Sequence, residues 1–157
     1  MAAATMFDFE QDFAGAFQCI PMAVRYKLDL CGVKLSLPQW KRFTEDDRRD
    51  LLARPCETAP EIAQFRDALA TLITARAGET AKFLPIESSP AWADRDAVPE
   101  QIIAYARRLD IDPPTLAQWR SLSVLQRFAL LKLSRESHDN VNFIPAMKEF
   151  KLLSAPG

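Results

Sequence analysis

The sequence predicts an all-α protein, a single-domain helical bundle built from two pseudo-symmetric duplicated halves. Three observations carry that prediction. Leu, Ala, Arg and Asp outweigh the β-branched residues, a balance that favours helix over strand. Apolar residues recur at three- and four-residue spacing through most of the chain, the rhythm of a helix with one buried face. One stretch occurs twice at a constant offset of 79 residues, which marks a supersecondary unit used twice. In it Leu37, Gln39, Trp40, Arg48, Leu51, Leu52 and Glu57 return as Leu116, Gln118, Trp119, Arg127, Leu130, Leu131 and Glu136. The halves cover about 19–78 and 98–153, joined by a connector at 79–97.

Within each copy the hydroxyls mark helix starts. Ser36 with Gln39, and Thr115 with Gln118, have the spacing of a capping box: the hydroxyl accepts the N3 amide and the N3 side chain accepts the N-cap amide. A second box follows at Thr44 with Asp47, short by one methylene, and at Ser123 with Gln126. Each copy therefore reads as a short helix bearing Trp, a sharp turn, and a longer helix bearing Arg and Leu-Leu. Trp40 and Trp119 are expected to wedge between these helices.

The remaining elements follow in order. Phe9, Phe13 and Phe17 keep a helical rhythm, with a strand over Phe7–Phe9 as the alternative. Pro21 opens a helix that places Val24, Leu28 and Cys31 on one side and stops at Gly32. Thr58 and Glu61 form another box, followed by the stripe Ile62, Phe65, Leu69, Leu72, Ile73 and a stop at Gly78. The proline-rich connector is pinned by Trp92. Pro99 opens the equivalent helix of the second half, ended by Asp112-Pro113-Pro114. Glu45, Asp46, Arg49 and Asp50 of the first copy correspond to Val124, Leu125, Phe128 and Ala129 of the second, so 123–133 should be central and 44–53 superficial. A last helix within 142–153 turns Phe143, Met147 and Phe150 inward.

Length and charge narrow the function classes. The chain has 157 residues, 48% apolar and 26% charged, enough for a core without staples, with a formal charge of −1. Nucleic acid and anionic membrane surfaces call for clustered basic excess, so neither is expected as a partner. No apolar run approaches the ~20 residues that span a bilayer. Three cysteines without close spacing fit a reducing compartment, and a cytoplasmic location is expected.

Reactive constellations are sparse. Cys19, Cys31, Cys56 and the single histidine, His138, offer four metal-ligand types, but paired CxxC spacing is missing and buried free thiols are the expected outcome. Arg48 and Arg127 occupy equivalent places, and Glu57 and Glu136 are their expected carboxylate partners, locking each half. The segment Ser134–Phe143 gathers Arg135, His138, Asp139, Asn140 and Asn142 in one polar loop, of the kind that carries function or caps neighbouring helices. No catalytic triad and no phosphate-cradling glycine loop can be assembled, so catalysis and a resident cofactor are not expected.

Many short blocks, among them Phe7-Asp8-Phe9-Glu10, Cys19-Ile20-Pro21-Met22, Val24-Arg25-Tyr26-Lys27-Leu28-Asp29, Cys31-Gly32-Val33-Lys34-Leu35, Pro90-Ala91-Trp92, Leu125-Gln126-Arg127-Phe128-Ala129-Leu130, His138-Asp139-Asn140-Val141-Asn142-Phe143 and Lys148-Glu149-Phe150, together resemble the bacterial nitrate reductase-associated protein family. The resemblance runs from about Phe7 to Leu152. It departs at Asp139, where the family's pattern has Glu. It implies a small cytoplasmic accessory protein of nitrate assimilation, with no established catalytic residues, that serves the maturation, stability or activity of a nitrate reductase. The expected partner is that enzyme, bound through surplus arginines and polar or aromatic residues: Arg25, Arg107, Arg108, Arg135, His138, Asn140, Asn142 and Phe150. The alternatives are a carrier of metal, iron–sulfur or molybdenum cofactor using Cys19, Cys31, Cys56 or His138, and a structural homodimeric module with another client.

Overall fold

The computed structural model describes residues 7–11, 19–135 and 142–153. Its contacts divide the chain into two compact units, Met1–Glu87 and Ser88–Gly157. The described residues are mostly helical.

In the first unit, α1 (Asp8–Gln11) lies where the alternative reading placed a strand, with Phe7 and Phe9 stacked at 5.3 Å. Phe13 and Phe17 lie outside the described residues. The Glu10 carboxylate accepts from the amides of Phe7 at 3.0 Å and Met22 at 2.7 Å, so the buried acid closes its own turn and satisfies the start of α2 (Met22–Cys31). That helix ends at Gly32, whose φ of 70° gives its amide a path back to Leu28 O. The chain then enters β1 (Val33–Lys34), paired antiparallel with β2 (Lys82–Phe83), Val33 opposite Phe83. Two-residue strands leave no alternation for a sequence to display, so the sequence predicts neither of them.

The short helix α3 (Leu37–Arg42) and the longer α4 (Glu45–Ala53) each begin with a complete capping box, at Ser36/Gln39 and Thr44/Asp47. Asp47 reaches despite its shorter side chain. A third box at Thr58/Glu61 starts α5 (Ala59–Leu72), and the helix continues as a π-helical turn, Ile73–Ala77, to Gly78 at φ 67°. Val24, Trp40, Leu51, Phe65, Leu69 and Ile73 are completely buried and form the centre of this unit's core. Apart from Val24, each is worth about 2–5 kcal/mol against truncation to alanine.

The second unit begins with a 3-10 turn, Ala91–Ala93, whose Trp92 packs edge-on against Phe128 at 5.9 Å. Helix α6 (Glu100–Arg108) follows Pro99 and closes through Asp110 at φ 60°, with Ile111 N donating to Ala106 O. Its end therefore precedes Asp112-Pro113-Pro114. Next come α7 (Leu116–Ser121) and α8 (Val124–Leu133), each opened by its capping box, at Thr115/Gln118 and Ser123/Gln126. Both start 79 residues after α3 and α4. Helix α8 buries Arg127, Phe128, Ala129, Leu130 and Leu133, whereas α4 buries Leu51 alone, as their contrast in apolar residues requires. The last helix, α9 (Phe143–Glu149), buries Phe143, Ala146 and Met147. No helix among the described residues is long and apolar enough to cross a membrane.

Candidate functional site

The polar groups buried in the cores are occupied with backbone. Lys27 Nζ donates to Leu51 O at 3.1 Å and Leu52 O at 2.7 Å, supplying donors to carbonyls at the end of α4. Burial pushes its pKa below the ordinary lysine value, with Cys56 and Asp50 pulling the other way. Arg127, also buried, donates to Trp92 O at 2.9 Å and Leu122 O at 2.7 Å, tying the 3-10 turn to the α7–α8 corner. Arg48 donates to Trp40 O at 3.2 Å and Lys41 O at 3.1 Å and lies over the Trp40 ring. Main-chain carbonyls thus take donors of both arginines; of the expected carboxylate partners, Glu57 is an exposed residue and Glu136 lies outside the described residues. The end of a short helix presents unpaired carbonyls within reach of a long planar donor. Trp40 and Trp119 are completely buried, and the Trp119 indole N–H donates to Asp94 O at 2.7 Å.

The thiols are similarly inward. Cys31 and Cys56 are buried in one core and Cys19 is half-buried. Burial raises the Cys31 thiol and pushes Cys56 up to about 11, so both hold their protons at neutral pH. Among the described residues no group of three His, Cys, Asp or Glu is placed to hold a metal ion. His138 lies outside them.

A different set of side chains meets at the surface of the second unit. Gln101, Ala104, Tyr105 and Arg108 follow the i, i+3, i+4, i+7 spacing of one helical face on α6, and they share a hollow of about 390 Å³ with Ser134 and Arg135 beyond the end of α8. Gln101 Nε2 donates to Leu131 O at 3.0 Å and to Ser134 Oγ at 2.9 Å, while Ser134 Oγ donates to Leu131 O at 2.7 Å. This small network satisfies the end of α8 and fixes the distance between the two walls. Tyr105 is held edge-on against Phe143 at 4.9 Å. Arg108 and Arg135 are exposed, and their guanidiniums are the hollow's charged groups.

Of the residues expected to bind a partner, the structure gathers Arg108 and Arg135. Arg107 is exposed on α6 but does not line the hollow. Arg25 belongs to the other unit, where its Nε donates to Ile20 O at 3.0 Å. Asn142 is the half-buried residue preceding α9. Phe150 is corrected from partner surface to core: it is only 7% exposed, as its spacing from Phe143 and Met147 demands. His138 and Asn140 lie outside the described residues. Gln101 and Tyr105 were not foreseen. The four-residue step from Gln101 to Tyr105 and the three-residue step to Arg108 were the available signal.

Fold and site define a mostly helical protein with committed core polar groups and a two-arginine surface hollow. The chain belongs to the family of conserved nitrate reductase-associated proteins, whose model matches residues 6–150. Neither the curated proteins nor the solved structures contain a match to it.

Proposed function

We propose that the protein is a non-enzymatic, cytoplasmic accessory factor of nitrate assimilation that binds a nitrate reductase and aids its maturation, stability or activity. Family membership supports the association with that enzyme. The observation that carries the binding role is the convergence of Arg108 and Arg135 on one hollow. Arginine is favoured at protein interfaces because its planar fork recognises carboxylates and its stem covers apolar surface. Lys27, Arg127 and Glu10 are buried and engaged with backbone that they hold in place. We also read the two units as descendants of one duplicated element, on the support of the recurring capping boxes, Trp and Arg at the 79-residue offset.

Purified protein should co-elute with nitrate reductase from a sizing column, and added salt should weaken the complex, since exposed charge pairs are screened. Elution of the two proteins apart under every loading state of the enzyme overturns the reading. A stable homodimer that ignores the enzyme would favour a structural module instead.

A further inference from the structure

The small sheet of the first unit has an open edge on β2, and we infer that this edge takes up a short apolar and acidic segment of a partner protein as a third strand. The inference is independent of the hollow on α6, and it holds whether or not the partner is a nitrate reductase. In the β1–β2 pair Val33 stands opposite Phe83 and Lys34 opposite Lys82. One step further along, Leu84 donates its amide to Gly32 O at 2.8 Å. Antiparallel pairs alternate between those that exchange hydrogen bonds and those that do not. Gly32 with Leu84 and Lys34 with Lys82 are therefore of the first kind, and Val33 with Phe83 is of the second. The amide and carbonyl of Phe83 point away from β1, and among the described residues neither has a partner. An outward donor and acceptor on one extended residue are the groups through which a sheet edge gains a strand.

The side chains select which strand. Residues 82–89 are all exposed, and Phe83, Leu84 and Ile86 are each at least 50% exposed. Apolar side chains on an open edge would pair with many segments; the cations narrow the choice. Lys34 and Lys82 stand directly opposite on one face, where like charges destabilise a pair, and among the described residues neither ammonium has an ion-pair partner. Arg66 lies over the Phe83 ring at 4.3 Å, on the other face. The segment's own acids flank it: Glu79 accepts from Gln39 Nε2 at 3.1 Å, and Glu87 lies beyond Pro85. A second copy of β2 would add cations to cations, whereas a carboxylate beside Lys82 relieves a repulsion already present. Pro85 offers no amide at the next outward position, so the added strand is confined to a few residues around Phe83. Laid antiparallel, it reads apolar, apolar, acidic opposite Leu84, Phe83 and Lys82. A lipid surface would leave the Phe83 amide and carbonyl unpaired, which favours a strand.

The test is an amide-resolved NMR titration of the full chain with a capped peptide, valine-valine-glutamate between Gly/Ser flanks. It should shift the amides of Lys34, Lys82, Phe83 and Leu84 and slow hydrogen exchange at the Phe83 amide. Glutamine in place of glutamate removes the charge, and N-methylation of the second valine removes the donor to Phe83 O. Each altered peptide should bind about threefold more weakly or worse, the scale of one exposed ion pair or hydrogen bond. Lys34→Gln with Lys82→Gln should bind the glutamate peptide no better than wild type binds the glutamine one, with a melting temperature unchanged or raised. Arg107→Gln, in the second unit, should bind as wild type. No effect at the Phe83 amide, equal binding of the three peptides, or a lowered melting temperature in the double lysine variant overturns the inference. So do concentration-dependent shifts at Phe83 in the protein alone, which indicate a second copy, and larger shifts from phosphatidylserine-containing vesicles than from the peptide, which indicate a membrane. Peptide binding by a chain that elutes apart from nitrate reductase refutes the accessory reading and keeps the strand site. Co-elution without peptide binding does the reverse.

Discussion

Arg127 Nε lies 2.9 Å from the carbonyl oxygen of Trp92, thirty-five residues earlier in the chain. The same guanidinium reaches Leu122 O at 2.7 Å, so one buried cation joins the connector to the corner between α7 and α8. Two carbonyls inside a low-dielectric core depend on it. Replacing Arg127 with methionine keeps most of the volume and orphans both acceptors, at about 1–3 kcal/mol each. Urea unfolding should show a loss of about 2–6 kcal/mol, and lysine, which cannot reach both oxygens as a fork, should recover only part of it. Unchanged stability would mean that Trp92 O and Leu122 O find water instead.

That pair also shows what the sequence could and could not display. Helix starts were legible because a capping box is local: Ser36/Gln39, Thr44/Asp47, Thr58/Glu61, Thr115/Gln118 and Ser123/Gln126 all close within three residues. The inward face of α5 was legible because its period is 3.6. The carbonyl acceptors of Arg48 and Arg127 were not, since carbonyls are present at every residue and carry no sequence signature. Lys27 was missed for the same reason. Its side chain is polar and its acceptors, Leu51 O and Leu52 O, belong to residues that look purely apolar. The hollow was half legible: Arg108 and Arg135 were singled out, but the α6 face that unites them with Tyr105 required the helix register.

Gly32 and Gly78 share a positive φ and differ in surroundings. A Cβ on Gly32 would lie 2.7 Å from Leu84 O and 2.9 Å from the Ile86 side chain, whereas one on Gly78 meets nothing within 4 Å. Gly78→Ala should cost about 1–2 kcal/mol, the left-handed backbone term alone. Gly32→Ala should cost more, because Leu84 donates its amide to Gly32 O at 2.8 Å and the β1–β2 pair must shift to make room. Thermal melts of the two variants test the order, and faster hydrogen exchange at the Leu84 amide in Gly32→Ala alone would locate the cause.

Asp47 joins a helix start to a distant arginine. Its carboxylate accepts from the Thr44 amide at 2.9 Å and from Arg76 Nε at 2.8 Å, with its side chain 14% exposed. Burial works to raise its pKa, but the hydrogen bonds from Arg76 and Thr44 outweigh it and hold the carboxyl below the usual value of 3.8. A depressed folded pKa contributes stability that is present above 3.8 and lost as pH falls below it. Asp47→Ala should therefore cost about 1–2 kcal/mol at neutral pH, from lost capping and a partly screened ion pair. The gap from wild type should close in acid; a gap that persists below pH ~2 would assign the loss to packing.

Cys56 predicts the opposite end of the pH scale. Burial pushes its thiol up to about 11 from the ordinary 9.0, with Cys31 adding to the rise and Lys27 opposing it. Between those values the folded chain keeps a proton that the unfolded chain has released, so folding is favoured by protonation. The contribution is complete below pH 9.0 and is lost as pH rises through about 11. Cys31, raised in the same way, adds a slope of the same sign. Lys27 runs against them, because its lowered pKa leaves the folded chain with fewer protons as pH climbs toward 10.5. The net slope of the wild type mixes these three groups, and the informative quantity is the difference made by Cys56→Ala. That variant should lose about 1–2 kcal/mol at neutral pH from its smaller side chain. The deficit should then shrink across the alkaline window, as the wild type loses a term the variant does not have. Parallel stability curves for the two proteins from pH 8 to 11 would show that the thiol is open to solvent, contrary to its burial in the core of the first unit.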